Sequence, residues 1–182
     1  MGIKAHSDRL RLEKLSEEHA AAMLPVLGDE RVYLYIPGQP YQTVENLQVR
    51  YRKLVAGPSA PDEIWWNFIL FQRASQTPMG FVQATLMLDQ RLAEVAYLLS
   101  PSHWGQGYAT EALAWLLQQL RRRGDIDMAQ AQIDERNLAS IAVVKRLGFE
   151  FTKTVLDESS TDSIFQRALV DSVPVHRARR AV

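Results

Sequence analysis

Leu10, Leu12 and Leu15 are interleaved with Arg9, Arg11, Glu13 and Lys14, the pattern of a short strand with one buried face. Ser16, followed by Glu17, Glu18 and His19, supplies a hydroxyl cap and first-turn acids for a helix from Ala20 to Leu27, which Gly28-Asp29 ends. An aromatic loop with Pro37-Gly38 and Pro40 covers Tyr33 to Tyr41. Thr43 then caps a second helix to Val55, stopped by Gly57-Pro58. Two apolar runs, Ile64 to Gln72 and Phe81 to Leu88, flank a turn-rich RASQTPMG segment, and Ala93 to Leu99 makes a third strand in succession. Ala109, Ala112, Leu113, Leu116, Leu117 and Leu120 form one helical stripe between Ala109 and Arg123, with Gly124 as its stop. A strand at Met128 to Ile133, a helix at Leu138 to Leu147 and a last strand pair at Phe149 to Val155 and Ser163 to Val170 complete the order.

Three successive strands followed by a β-α-β unit predict an α+β (mixed α/β) fold. Its central sheet would be mixed and mostly antiparallel, of six to seven strands, with helices on both faces. The expected division is a short arm at 1–8, one domain at 9–170 and a basic tail at 171–182. A length of 182 residues suits one domain with its own core, and 47% apolar with 23% charged residues is ordinary globular composition. Equal numbers of cationic and anionic residues, 21 each, argue against bulk nucleic-acid binding or attraction to an anionic membrane. The absence of cysteine removes disulfides, thiolate metal sites and cysteine nucleophiles, and the four histidines sit at no metal-ligand spacing, each read as a surface residue. No apolar stretch approaches the ~20 residues that cross a bilayer, and His6 spoils a myristoylation pattern, so the expected location is the cytoplasm.

The chemistry concentrates after the third consecutive strand, where Ser100-Pro101-Ser102-His103-Trp104-Gly105-Gln106-Gly107-Tyr108 leads into a helix. Two glycines let backbone approach a ligand, and the helix start presents N–H groups at the positive end of the dipole, so the turn suits a phosphate. A P-loop lysine is missing after Gly107, and Thr110 stands where a dinucleotide fingerprint needs its third glycine or alanine. The loop WGQGYATEAL together with DERNLASIAVVKRLGFE resembles the GNAT acyl-CoA N-acyltransferase superfamily, and most nearly its ribosomal-protein N-terminal acetyltransferase branch. Gly107 and Ala109 match the superfamily's pyrophosphate loop, Trp104 replaces its usual Gln or Arg as that branch does, and Asn137, Ser140 and Gly148-Phe149 match its second motif.

The resemblance implies a sheet splayed between the strand ending at Leu99 and the one at Met128 to Ile133, with the pantetheine arm of acetyl-CoA in the gap and no metal. Backbone at Tyr97, Leu98 and Leu99 would pair with pantetheine, N–H groups from Gln106, Gly107, Tyr108, Ala109 and Thr110 would bind pyrophosphate, and Asn137 would bond near the thioester. Ser140 is the candidate acid for the departing thiolate, because Val143 and Val144 stand where many members carry a tyrosine. Glu94 is the candidate base, with Ala93 equally eligible if the strand bulges there; Asp134 and Glu135 are weaker alternatives, and a water relay can suffice. A backbone N–H near Leu99 would stabilise the oxyanion. The implied activity is direct acetyl transfer in a ternary complex to a primary amine, a protein N-terminus or a small molecule, by a monomer or homodimer. Transfer of another acyl group such as succinyl, and a non-catalytic acyl-CoA-binding regulator, are the rival readings. Tyr33, Tyr35, Tyr41, Trp65 and Trp66 are candidates for an acceptor pocket or for core, one of the adjacent tryptophans for core.

Overall fold

The computed structural model describes residues 6–156 and 160–169. The elements are β1 (Leu10–Lys14), α1 (His19–Leu27), α2 (Val44–Ala56), β2 (Glu63–Gln72), β3 (Pro78–Met87), β4 (Leu92–Leu99), α3 (Tyr108–Arg123), β5 (Met128–Asp134), α4 (Leu138–Arg146), β6 (Glu150–Leu156) and β7 (Thr161–Ala168). Short 3-10 turns at Glu30–Tyr33, leading into the aromatic loop, and at Pro101–His103, within the segment before the glycines, add further order. The tail expected at 171–182, the start of the arm at 1–5, and Val170 lie outside the described residues.

The strands form a seven-stranded sheet in the order β1-β2-β3-β4-β5-β7-β6. Among its pairs only β4 and β5 run parallel, since the crossover through α3 returns the chain in the same direction. Their pairing is confined to Leu92↔Met128, Ala93↔Ala129 and Glu94↔Gln130. Beyond those pairs β4 stays with β3 and β5 with β7, which opens the splay that the resemblance implied.

Two apolar layers cover the sheet. Alternate β4 residues divide between them: Ala93, Val95 and Leu99 join the core under α3 and α4, and Leu98 joins the core under α1 and α2. The α3 stripe is buried as its spacing requires, with Leu113, Leu116 and Leu120 fully enclosed, each such side chain contributing about 1.5–3 kcal/mol. Trp66 packs against the same core, edge-on to Phe68, whereas Trp65 points the other way and donates its indole N–H to Glu63.

Two local expectations need correction. β3 begins at Pro78, earlier than the turn-rich sequence suggested, because Met79 is wholly buried and Gly80 lets the strands close up. A Cβ at Gly80 would lie 1.9 Å from the Leu98 carbonyl oxygen, and its φ is +154°. At α1 the helix proper starts at His19, with no side-chain cap and no acid in the first turn. Ser16 instead directs both its N–H and its Oγ to His19 Nδ1, while the other ring nitrogen meets Glu13 at 2.8 Å. His19 is thus partly buried, and that burial lowers its pKa.

Candidate functional site

A cavity of about 380 Å³ lies where β4 and β5 part. On one side of the sheet it is lined by Arg31, Val32, Tyr35 and Ile36 from the segment after α1; on the other by Tyr108, Thr110, Asn137 and Ser140 from the starts of α3 and α4. Tyr97 and Leu98 side chains, which project to opposite faces of β4, both reach it, so the cavity passes through the sheet. A ligand entering from one face can meet a second from the other.

The α3 end suits an anion. Gly107 occupies the N-cap position with φ +80°, a left-handed conformation that favours glycine, and offers no side-chain cap. The first backbone bond into the helix is Glu111 N–H to the Gly107 carbonyl, so the N–H groups of Tyr108, Ala109 and Thr110 precede the helical ladder. Gly107, Tyr108, Ala109 and Thr110 line the cavity, as does Gly105, where an added Cβ would meet open space. Gln106 does not line it: its carbonyl is held by Arg9 and its side-chain amide donates to the Ser102 carbonyl.

On β4, the bond from Ser100 N–H to the Met79 carbonyl fixes the alternation of the ladder, so even-numbered residues bond to β3 and odd-numbered ones face the gap. Backbone groups of Tyr97 and Leu99 therefore face the gap, while Leu98 is spent on β3 and contributes its side chain. The Leu99 carbonyl already accepts from the Trp104 indole at 2.8 Å, leaving its N–H on the gap side. The expectation that all three residues present backbone to a ligand is corrected to two.

At α4, Asn137 caps the helix by accepting from Ser140 N–H at 3.1 Å, and its side-chain amide nitrogen remains at the cavity wall. The Ser140 hydroxyl has no hydrogen-bond partner among the described residues. Val143 lines the cavity and Val144 is buried. A phenol does reach this place, from the opposite direction: Tyr97 donates to the Ser140 carbonyl at 3.0 Å, and burial pushes that phenol up to about 12 despite the bond.

No bulge displaces Glu94, since the β3–β4 register runs unbroken from Gly80↔Leu99 to Met87↔Leu92. Glu94 shares a face with Leu98 but sits at the last β4–β5 pair, outside the cavity lining. Ala93 is buried in the core on the other face. Asp134 is nearly enclosed, and the Arg136 guanidinium beside it holds its carboxyl below the usual carboxylate range against the opposing effect of burial. No carboxylate lines the cavity among the described residues. Of the aromatic candidates only Tyr35 lines it, whereas Tyr33 and Tyr41 pack under α1 and α2. No group of residues among those described is arranged to hold a metal ion.

Three residues at the site escape a reading of the sequence. His103, expected on the surface, is half-buried in the cavity wall with Nδ1 2.9 Å from Ser100 Oγ, and burial lowers its pKa. Arg146, in the last turn of α4, reaches back to Thr110 Oγ1 at 3.3 Å and brings a cation to the cavity. Arg9 crosses from the edge of β1 to the glycine loop, bonding Gln106 carbonyl at 3.0 Å and Glu111 Oε2 at 2.7 Å. Burial alone would raise the Glu111 carboxyl, but bonds from Arg9 and Ser7 outweigh it and leave the pKa low. The KRLGFE run carried a weak signal for Arg146; Arg9 had none, because the contact depends on β1 lying against α3.

A family model described as an acetyltransferase (GNAT) domain matches residues 9–150. The uncharacterized N-acetyltransferase p20 of Bacillus licheniformis is 24% identical over 147 residues, 80% of this chain and 81% of its own. The uncharacterized protein YkkB of Bacillus subtilis (strain 168) is 30% identical over 79 residues, which cover 43% of this chain and less than half, 46%, of that protein. Among solved structures, the ribosomal L7/L12 α-N-protein acetyltransferase RimL in complex with coenzyme A superposes with a TM-score of 0.80 at 19% identity, over 91% of this chain and 97% of that one. The spermidine N-acetyltransferase of Vibrio cholerae, in complex with coenzyme A and spermine, gives 0.75 at 15% identity, over 90% and 97%.

Proposed function

This chain belongs to the GNAT acetyltransferase family, and on that premise we propose that it transfers the acetyl group of acetyl-CoA to a primary amine, by direct attack in a ternary complex. The observation that carries the reading is the uncapped, glycine-led start of α3 facing a cavity that crosses the sheet. Donor and acceptor then meet from opposite faces, and no covalent enzyme intermediate is needed.

In this reading the N–H groups from Gly107 to Thr110 take the pyrophosphate, with Arg146 adding charge. Tyr97 backbone pairs with pantetheine as an added strand would, and Leu99 N–H stands ready for the oxyanion. Asn137 bonds near the thioester through its free amide nitrogen. As the amine nitrogen bonds to the carbonyl carbon, the carbon–sulfur bond breaks; the Ser140 hydroxyl gives its proton to the sulfur and is reprotonated by water. The amine's own proton leaves through water, which is enough for an α-amine with pKa about 8. Glu94, on the acceptor face but outside the lining, takes that proton at most through a water relay.

The acceptor we favour is a primary amine without a second cationic centre, such as a protein N-terminus. A polyamine needs carboxylates to receive its remaining ammonium groups, and the acceptor end offers Arg31, Val32, Tyr35 and Ile36 instead. The cytoplasm is the expected location; no helix among the described residues is long and apolar enough to cross a membrane. The test is thiol release measured with acetyl-CoA or succinyl-CoA against a panel of N-terminal peptides and spermidine. Turnover of acetyl-CoA with peptides and not with spermidine is expected. Turnover with spermidine alone overturns the acceptor, a preference for succinyl-CoA overturns the acyl group, and binding without turnover of any amine favours a regulator.

A further inference from the structure

The glycine loop has a freedom that a phosphate site cannot leave open. The peptide joining Gln106 to Gly107 turns about Gln106 ψ and Gly107 φ, and the glycine at 107, with φ +80°, accepts either sign of φ, so this unit can turn over at small cost. Carbonyl and N–H of a trans peptide point in opposite directions. In one orientation Gly107 N–H faces the cavity; in the other the Gln106 carbonyl does, and its partial negative charge repels a phosphate.

Arg9 meets the carbonyl of that peptide at 3.0 Å through Nη1. The guanidinium is half-exposed but anchored: Nε bonds Glu111 Oε2 at 2.7 Å and the cation lies 4.3 Å over the Tyr108 ring, while the Arg9 backbone N–H bonds Glu111 Oε1 at 2.8 Å. Ser7 Oγ donates to the same carboxylate at 2.7 Å, and Gln72 Nε2 donates to the Tyr108 hydroxyl at 3.0 Å. Glu111 is an acid in the first turn of α3, close to where two anionic phosphates would sit, and the arginine fork offsets its charge there.

We propose that Arg9 is a positioning residue for the donor: by holding the Gln106 carbonyl away from the cavity it aims the Gly107 N–H at the pyrophosphate, with Glu111 and Ser7 fixing the arginine. The proposal rests on the acyl-CoA reading of the site. It makes the segment from Ser7 to Arg9 part of the cofactor loop rather than a strand edge only.

The test compares wild type with Arg9→Gln and Arg9→Lys, by hydrogen exchange of the unliganded proteins and by calorimetric titration with acetyl-CoA. Arg9→Gln should speed exchange of the amides from 104 to 110 only and weaken acetyl-CoA about tenfold, as expected for loss of a preset, charge-assisted bond. Arg9→Lys, a point charge without the fork, should lie between the two. Unchanged loop exchange overturns the proposal, as does faster exchange with undiminished affinity. Faster exchange throughout the protein with a lowered Tm makes Arg9 a general stabiliser and overturns it as well. If wild type binds no acetyl-CoA, the acyl-CoA reading fails, and the proposal for the donor falls with it; the exchange data still report separately whether Arg9 orders the loop.

Discussion

Two helices begin at the same cavity and begin differently. α4 closes its own end, with Asn137 accepting from Ser140 N–H, whereas α3 starts from a left-handed glycine with no side-chain cap. α1 also lacks a side-chain cap, but the turn before it bonds His19 N–H to Ser16 and Ala20 N–H to Glu17 through backbone carbonyls. α3 has no such turn, since its preceding residues are the glycine loop. An uncapped start is therefore informative only where the neighbouring chain also withholds its carbonyls and a cavity lies beyond. α3 meets all of these conditions, which is why the proposed function gives the donor phosphates to it and the thioester end to α4.

The contrast can be broken most severely at Gly107. Gly107→Asp puts a side chain at a left-handed position and a like charge at the proposed phosphate site, and acetyl-CoA affinity measured by calorimetry should fall about 100-fold or more. On the α4 side, Ser140→Ala should lower kcat about tenfold with the acetyl-CoA Kd unchanged, because a thiolate already leaves readily and the acid assists only modestly. Tyr97→Phe, assayed in parallel, sharpens the assignment: a larger kcat loss there than in Ser140→Ala would move the acid to the phenol.

Caps away from and at the cavity give a smaller effect. Asn137→Ala and Thr43→Ala each remove a side-chain acceptor from a helix start, Ser140 N–H losing one and Asn46 N–H the other. Each should cost about 1 kcal/mol, or about 2–4 °C in Tm, read by thermal unfolding. Only Asn137→Ala should also weaken acetyl-CoA, and only a few-fold.

The smallest effect is a pH dependence at the start of α1. The His19 imidazole in the folded protein titrates below its ordinary 6.5, so the unfolded chain takes up the proton first. Its contribution is fully present above pH 6.5 and is lost as pH falls toward the folded value. Urea unfolding at pH 7.5 and 5.5 should show a drop that His19→Gln reduces by less than about 1 kcal/mol.

Much of this arrangement was legible along the chain, and the reason is local. The helix stripes, the cap at Thr43, the glycine loop and Asn137 before Ser140 are encoded within a few residues of one another. The splay of the sheet came from the family resemblance rather than from the pattern. What escaped was set by distant pairings. Arg9 and Gln106 meet because β1 lies beside α3, and the loss of Leu98 backbone from the gap follows from the β3 register, whereas the half-burial of His103 comes from neighbours close in sequence, Ser100, Ser102 and Tyr108. Glu94 lies outside the cavity lining for a related reason, since its place at the last β4–β5 pair is fixed by strands distant in sequence.

Hydrogen exchange of the wild-type protein with and without acetyl-CoA tests the central claim most directly. The account predicts protection of the amides from 104 to 110 and at Tyr97 and Leu99, with little change at Ser140, whose N–H is already capped, and none at the start of α1. Protection concentrated at the start of α4 or α1, or no local protection on addition of saturating acetyl-CoA, would contradict it.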